Sequence, residues 1–151
     1  MFIGGDESVA KKLWSLFEII GIPIYVGSID ASCAVKLVSN MIGMTTLAVL
    51  AEGMRTGERA GLDKKLMLEL FADTGANSYQ LNVRGPSIAS EDFTAKFAVD
   101  LALKDVRLGL EMARDWGLDL KAMEIALDYF KKASASGLGQ EDCSAVYKVI
   151  G

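Results

Sequence analysis

Residues 31–51 read ASCAVKLVSNMIGMTTLAVLA, and Lys36 is the only charged residue among them. Ser32 lies four positions before it and Asn40 four after. Residues four apart on an α-helix sit nearly above one another, so Ser32, Lys36 and Asn40 predict a polar stripe on an otherwise apolar helix. An ammonium in an apolar setting loses hydration and is driven toward its neutral form. That expectation makes Lys36 the best candidate acid/base group in the chain.

The same stretch is long enough to raise the possibility of a membrane span. Lys36, Ser39, Asn40, Thr45 and Thr46 interrupt it, and the pattern runs on into Arg55, Glu58 and Arg59. The expected alternative is a central, fully wrapped helix of a soluble bundle. Working outward, Ser28 or Asp30 starts this helix and Gly61 ends it. Thirty residues at the α-helical rise give roughly 45 Å, longer than most globular helices.

Everything after Gly27 reads as helix. A second helix runs through KKLMLELFAD and stops near Thr74 and Gly75, and a short one spans 78–84, closed by Gly85 and Pro86. Residues 86–97 then form a loop anchored by Phe93 and Phe97. Val99, Leu103, Val106, Leu110 and Ala113 define the buried stripe of a helix over 98–116, with Gly117 as its stop. Another amphipathic helix covers 120–135, and a short terminal one, capped by Asp142, covers 141–150. The first 27 residues differ. MFIGG is a short apolar run, Asp6 caps a helix over 7–20, Gly21 and Pro23 stop it, and IPIYVG reads as a buried strand. Strand, helix and strand make one βαβ unit, which requires further strands beside it to cover its faces.

Composition narrows the function. A chain of 151 residues, 51% hydrophobic, buries a sizeable core. A net charge of −4 with scattered Lys and Arg argues against nucleic-acid binding. The absence of histidine and the wide separation of Cys33 and Cys143 argue against a metal site or a disulfide framework, and point to a reducing, cytoplasmic setting. No basic region followed by an apolar run marks the N-terminus as a signal peptide.

Several separated motifs carry a resemblance. GGD at 4–6, KLVSN at 36–40, GERAGLD at 57–63, LALKDVRLGLEMA at 101–113 and GLGQEDCSAV at 137–146 follow one another in an order similar to the C-terminal portion of the β-hydroxyacid dehydrogenases. That family includes 3-hydroxyisobutyrate dehydrogenases and glyoxylate/succinic semialdehyde reductases. The resemblance implies a mainly α fold: a helical bundle with a long central helix, of the 6-phosphogluconate dehydrogenase C-terminal type, at 29–151. A βαβ remnant of a Rossmann-type dinucleotide-binding domain precedes it at 1–28. It implies that Lys36 is the general acid/base, that Asn40 holds substrate, and that Lys104 lies at the nicotinamide and ribose end of an NAD or NADP site. Ser78 aligns with a family serine without a role. The implied partners are a small hydroxy acid or aldehyde acid and a second copy of the chain, in a homodimer or homotetramer.

Departures from the pattern are informative. Ser32 and Asp30 stand where the family commonly has glycines, and Ser39 replaces one of the two asparagines of its K-L-x-N-N signature, the other being Asn40. Related imine reductases usually lack the lysine, so Lys36 favours an alcohol or hydroxy-acid reaction. The glycine-rich phosphate turn G-x-G-x-x-G after a first strand is absent from these residues, and GLGQED at 137–142 lies between helices. The expectation is an oxidoreductase part that is inactive alone. The alternative from another class is a non-catalytic helical assembly module. These residues also fit plainer structural roles, in which Lys104 pairs with Asp100 on a solvated face, the methionines fill the core, Trp14 and Trp116 anchor packing, and Cys33 is inert.

Overall fold

The computed structural model describes residues 1–151, which divide into two compact units, Met1–Ser39 and Asn40–Gly151. In the first unit, β1 (Phe2–Ile3) and β2 (Ile24–Tyr25) pair in parallel, with Phe2 opposite Ile24 and Ile3 opposite Tyr25. Parallel pairing requires a crossover. The crossover here is α1 (Glu7–Lys12) and α2 (Trp14–Ile20). Asp6 caps α1 as expected, its carboxylate accepting from the N–H groups of Ser8 and Val9 at 2.8 and 3.0 Å. The single helix expected over 7–20 is broken at Leu13. Its N–H is shared between the carbonyls of Val9 and Ala10, both at 3.2 Å, which tightens the turn and lets the helix restart one residue later.

The long helix is present as α3 (Ile29–Arg59), 31 residues and about 46 Å. Ser28 starts it, its hydroxyl accepting from the N–H of Ala31. By length and apolar composition α3 is able to cross a membrane, yet its second half is a core element: Met41, Met44, Leu47, Ala51 and Met54 are buried. It is not fully wrapped, however. Ile42 is 55% exposed and Val49 62%, so one stripe of the expected central helix has no cover within this chain.

The second unit continues with α4 (Lys64–Ala72), α5 (Tyr79–Ser90), α6 (Val99–Asp115) and α7 (Lys121–Ala133). A wide turn (Ser134–Leu138) and a 3₁₀ helix (Cys143–Val149) follow. Asp63, Ser78 and Asp142 cap the elements they precede, which gives Ser78 a structural role. The expectation that Gly85 and Pro86 end α5 is overturned. The helix runs through both to Ser90 and stops at Glu91, which takes a left-handed conformation (φ 55°). Gly85 is there for packing: a Cβ on it would come within 2.6 Å of the Leu68 side chain. Beyond Pro86, Ser87 and Ile88 are buried, so the packing of this last turn opposes the cost of the backbone hydrogen bond lost at Pro86.

Asp142 ties the chain's end to the segment entering α6. It is fully buried, accepts from the backbone N–H groups of Lys96 and Phe97 and from Ser144, and pairs with Arg84 at 3.1 Å. Burial disfavours its ionised form. The hydrogen bonds from Ser144 and Phe97 and the guanidinium of Arg84 overcome that and hold its carboxyl below the usual carboxylate range. A glycine sets the spacing of α6 against α3: a Cβ on Gly109 would lie 1.8 Å from Met41 Sδ, so the two helices meet closely there.

Candidate functional site

That close approach determines what Asn40 meets. Asp105 stands one helical turn before Gly109 on α6, and Asn40 is the residue before Met41 on α3. The amide Nδ2 of Asn40 donates to Asp105 Oδ2 at 2.6 Å. Asp105 is only 2% exposed and lies on the buried stripe of α6 with Ala102, Val106 and Gly109. Its other oxygen, Oδ1, is 3.5 Å from Lys104 Nζ. Lys104 keeps half of its side chain in solvent and borders a groove with Leu103, Arg107, Lys131 and Ser134. The expected pairing of Lys104 with Asp100 is not what forms. Asp100 instead accepts from Ser134 Oγ at 2.6 Å and from Gln140 Nε2 at 3.1 Å.

In the first unit, Lys36 lines a pocket with Phe2, Ser32, Cys33 and Leu37. It is exposed, as are Val35 and Val38 beside it. The apolar enclosure expected from the sequence is therefore not supplied by these residues, because the apolar neighbours of Lys36 themselves face solvent. Ser32, which stands where the related family commonly has glycine, is accommodated by another glycine. A Cβ on Gly4 would lie 2.6 Å from Ser32 Oγ, and the hydroxyl instead bonds to the carbonyl of Ile29 at 2.7 Å. Cys33 is exposed and Cys143 is buried, and both are free thiols.

Asp105 was not singled out by sequence reasoning. The signal for it was present: an acid within the apolar stripe of a strongly amphipathic helix needs a partner from another element. The Arg84–Asp142 pair was likewise invisible as a pair, since 58 positions separate its members.

Residues 31–150 match the family model described as NAD-binding of NADP-dependent 3-hydroxyisobutyrate dehydrogenase. The chain is 36% identical over 151 residues to a 2-(hydroxymethyl)glutarate dehydrogenase of Eubacterium barkeri, covering 99% of this chain and 50% of the relative. It is 29% identical over 147 residues to the chloroplastic glyoxylate/succinic semialdehyde reductase 2 of Arabidopsis thaliana, covering 97% of this chain and 41% of the relative. Among solved structures, a 3-hydroxyisobutyrate dehydrogenase from Salmonella typhimurium superposes with a TM-score of 0.92 at 27% identity. That superposition covers 97% of this chain and 52% of the other. The chain thus spans about half the length of the relatives it matches.

Proposed function

The chain belongs to the NAD-binding family of NADP-dependent 3-hydroxyisobutyrate dehydrogenase, and we propose that it is the C-terminal part of an NAD(P)-dependent oxidoreductase acting on a small 3-hydroxy acid or aldehyde acid. The observation that carries this reading is the extent of the match. It spans residues 31–150, the stretch of the chain in which Lys36, Asn40 and Lys104 all fall. In this reading residues 1–28 close the dinucleotide-binding domain and residues 29–151 form the helical substrate and dimerisation domain.

Lys36 acts as the general acid/base. In the reducing direction its ammonium donates a proton to the substrate's carbonyl oxygen and stabilises the charge developing there; in the oxidising direction the neutral amine accepts the hydroxyl proton. Asn40, one turn along α3, holds the substrate by its amide. When bound, the nicotinamide dinucleotide supplies or accepts the hydride. Lys104 suits the edge of that cofactor: its half-exposed ammonium sits beside a buried carboxylate with donors directed to solvent, matching hydroxyl or carboxamide oxygens. The phosphate cradle lies outside these residues, so the isolated chain is inactive. The two free cysteines fit a reducing, cytoplasmic setting.

The exposed stripe of α3 through Ile42 and Val49 is the face by which two copies associate, giving a homodimer or homotetramer. Light scattering of the chain tests this, and a clean monomer overturns it. The activity is tested in the full-length protein with 3-hydroxyisobutyrate, 2-(hydroxymethyl)glutarate and L-threonate, each with NAD⁺ and NADP⁺. NAD(P)H formation with at least one of them is expected. No turnover with any, together with no dinucleotide binding, leaves the helical assembly module as the better reading.

A further inference from the structure

An acid on the buried stripe of α6 calls for an explanation that packing does not give. Ala102, Val106 and Gly109 around it are apolar and buried, and an ionised carboxyl placed among them is unfavourable unless other groups hold it. Among the groups that hold Asp105 are Asn40, at 2.6 Å on Oδ2, and Lys104, at 3.5 Å on Oδ1. These are two of the three residues assigned above to substrate and cofactor.

The chemistry of the contact with Asn40 is directional. A terminal amide carries a donor end and an acceptor end, and rotating it by about 180° exchanges them. A carboxylate only accepts. Facing Asp105, the Asn40 amide is therefore restricted to one of its two orientations, with Nδ2 toward Asp105 and Oδ1 turned away. The geometry points to Asp105 as a positioning residue that fixes the order of donor and acceptor which Asn40 presents to the substrate. This inference rests on the reading of Asn40 as a substrate ligand. Orienting the amide in advance spares the complex the cost of ordering it on binding, so the effect falls on substrate KM.

The Asn40 side-chain amide reports the orientation directly. In ¹H–¹⁵N spectra of the 151-residue chain, one Nδ2 proton of Asn40 is expected downfield of the other asparagine amides and slow to exchange. Asp105→Ala should abolish both features. Asp105→Leu, which keeps the branched outline of the side chain while removing the acceptor, serves if the alanine variant does not fold. An Asn40 amide unchanged in either folded variant overturns the inference. In the full-length enzyme, with the best-used of the three hydroxy acids above, Asn40→Ala and Asp105→Ala should each raise substrate KM roughly tenfold, the scale of one hydrogen bond. The double variant should be no worse than the poorer single one, since Asp105 acts through Asn40. Effects that multiply overturn the positioning role. If the amide signature is lost with Asp105 while Asn40→Ala leaves KM unchanged, the substrate role of Asn40 falls and the orienting contact stands.

Discussion

The two units of this chain use similar apolar content very differently. In Asn40–Gly151, residues from α3 to the last 3₁₀ helix interlock, and every buried apolar residue of the chain except Ala10 lies there. In Met1–Ser39, Val9, Leu16, Ile19, Ile20, Ile22 and Ile24 are all exposed, and the sheet has two short strands. Burial of apolar surface stabilises at about 25 cal/mol per Å², so the stability of the chain resides in the second unit. A two-stranded sheet contributes little by itself. Lys36, the proposed proton donor, lies in the first unit, whereas Asn40 and its anchor Asp105 lie in the second. Chemistry and stability are therefore expected to respond to different substitutions.

The largest effect should come from Lys36→Ala in the full-length protein. Turnover is expected to fall about a thousandfold, while the urea unfolding curve moves little because Lys36 is exposed and lies outside the buried core. Retained turnover breaks the assignment of Lys36, and a matching loss of stability breaks the separation of the two units. The contrast in stability is checked by a pair of variants of the chain. Phe130→Ala removes a fully buried ring from the second unit and should cost about 3–5 kcal/mol. Ile19→Ala, at a side chain 82% exposed in the first unit, should change stability by less than about 0.5 kcal/mol. Comparable costs at the two sites would show that the first unit holds a core of its own.

How much of this was legible beforehand follows the same division between local and long-range forces. Asp6, Asp63 and Asp142 were readable because capping is a matter of a few neighbouring residues. The 31 residues of α3 were readable because apolar periodicity and the absence of breakers persist over many turns. Gly85 and Pro86 misled because their local tendency to end a helix is opposed by tertiary packing, Gly85 against Leu68 and Ile88 in the core, and what packs on them comes from elsewhere in the chain. Among the candidate residues, Lys36 and Asn40 stood out through their spacing on an apolar helix, and Lys104 only through the family resemblance. Asp105 acquires its meaning only when α6 meets α3 across Gly109. The exposure of Lys36 was also beyond reach, because an apolar sequence around a residue does not say what packs on it.

A smaller effect is expected from pH, and it too belongs to the second unit. Hydrogen bonds from the Tyr147 hydroxyl, at 2.7 Å, and from Arg55, at 2.6 Å, together with the nearby charge of Lys64, lower the Glu58 carboxyl to about 2. A folded value below the unfolded one, about 4.3, means that the native state binds fewer protons there. The stabilisation is present above about pH 4.3 and is lost as pH falls through about 2. Glu58→Gln should flatten the acid limb of the stability curve, followed by circular dichroism in urea, while leaving the neutral plateau lower but level. An acid limb unchanged in that variant removes Glu58 from the account.

The gentlest probe changes nothing in the fold and compares the units through one thiol in each. Cys33 is exposed on α3 in the first unit, whereas Cys143 is fully buried in the second. Burial, with the neighbouring Asp142 carboxylate adding to it, pushes the Cys143 thiol up to about 12. The reactive species is the thiolate, so Cys143 is doubly protected, by access and by protonation. Ellman's reagent in mildly alkaline buffer should titrate one thiol per native chain and two in urea. Rapid reaction of both in the native chain would mean that the end of the second unit opens far more readily than its packing around Asp142 implies. Reaction of neither would mean that Cys33 is covered in solution. Since Cys33 sits one turn from Lys36 in the same pocket, a partner copy covering the thiol would also close part of the pocket that Lys36 lines.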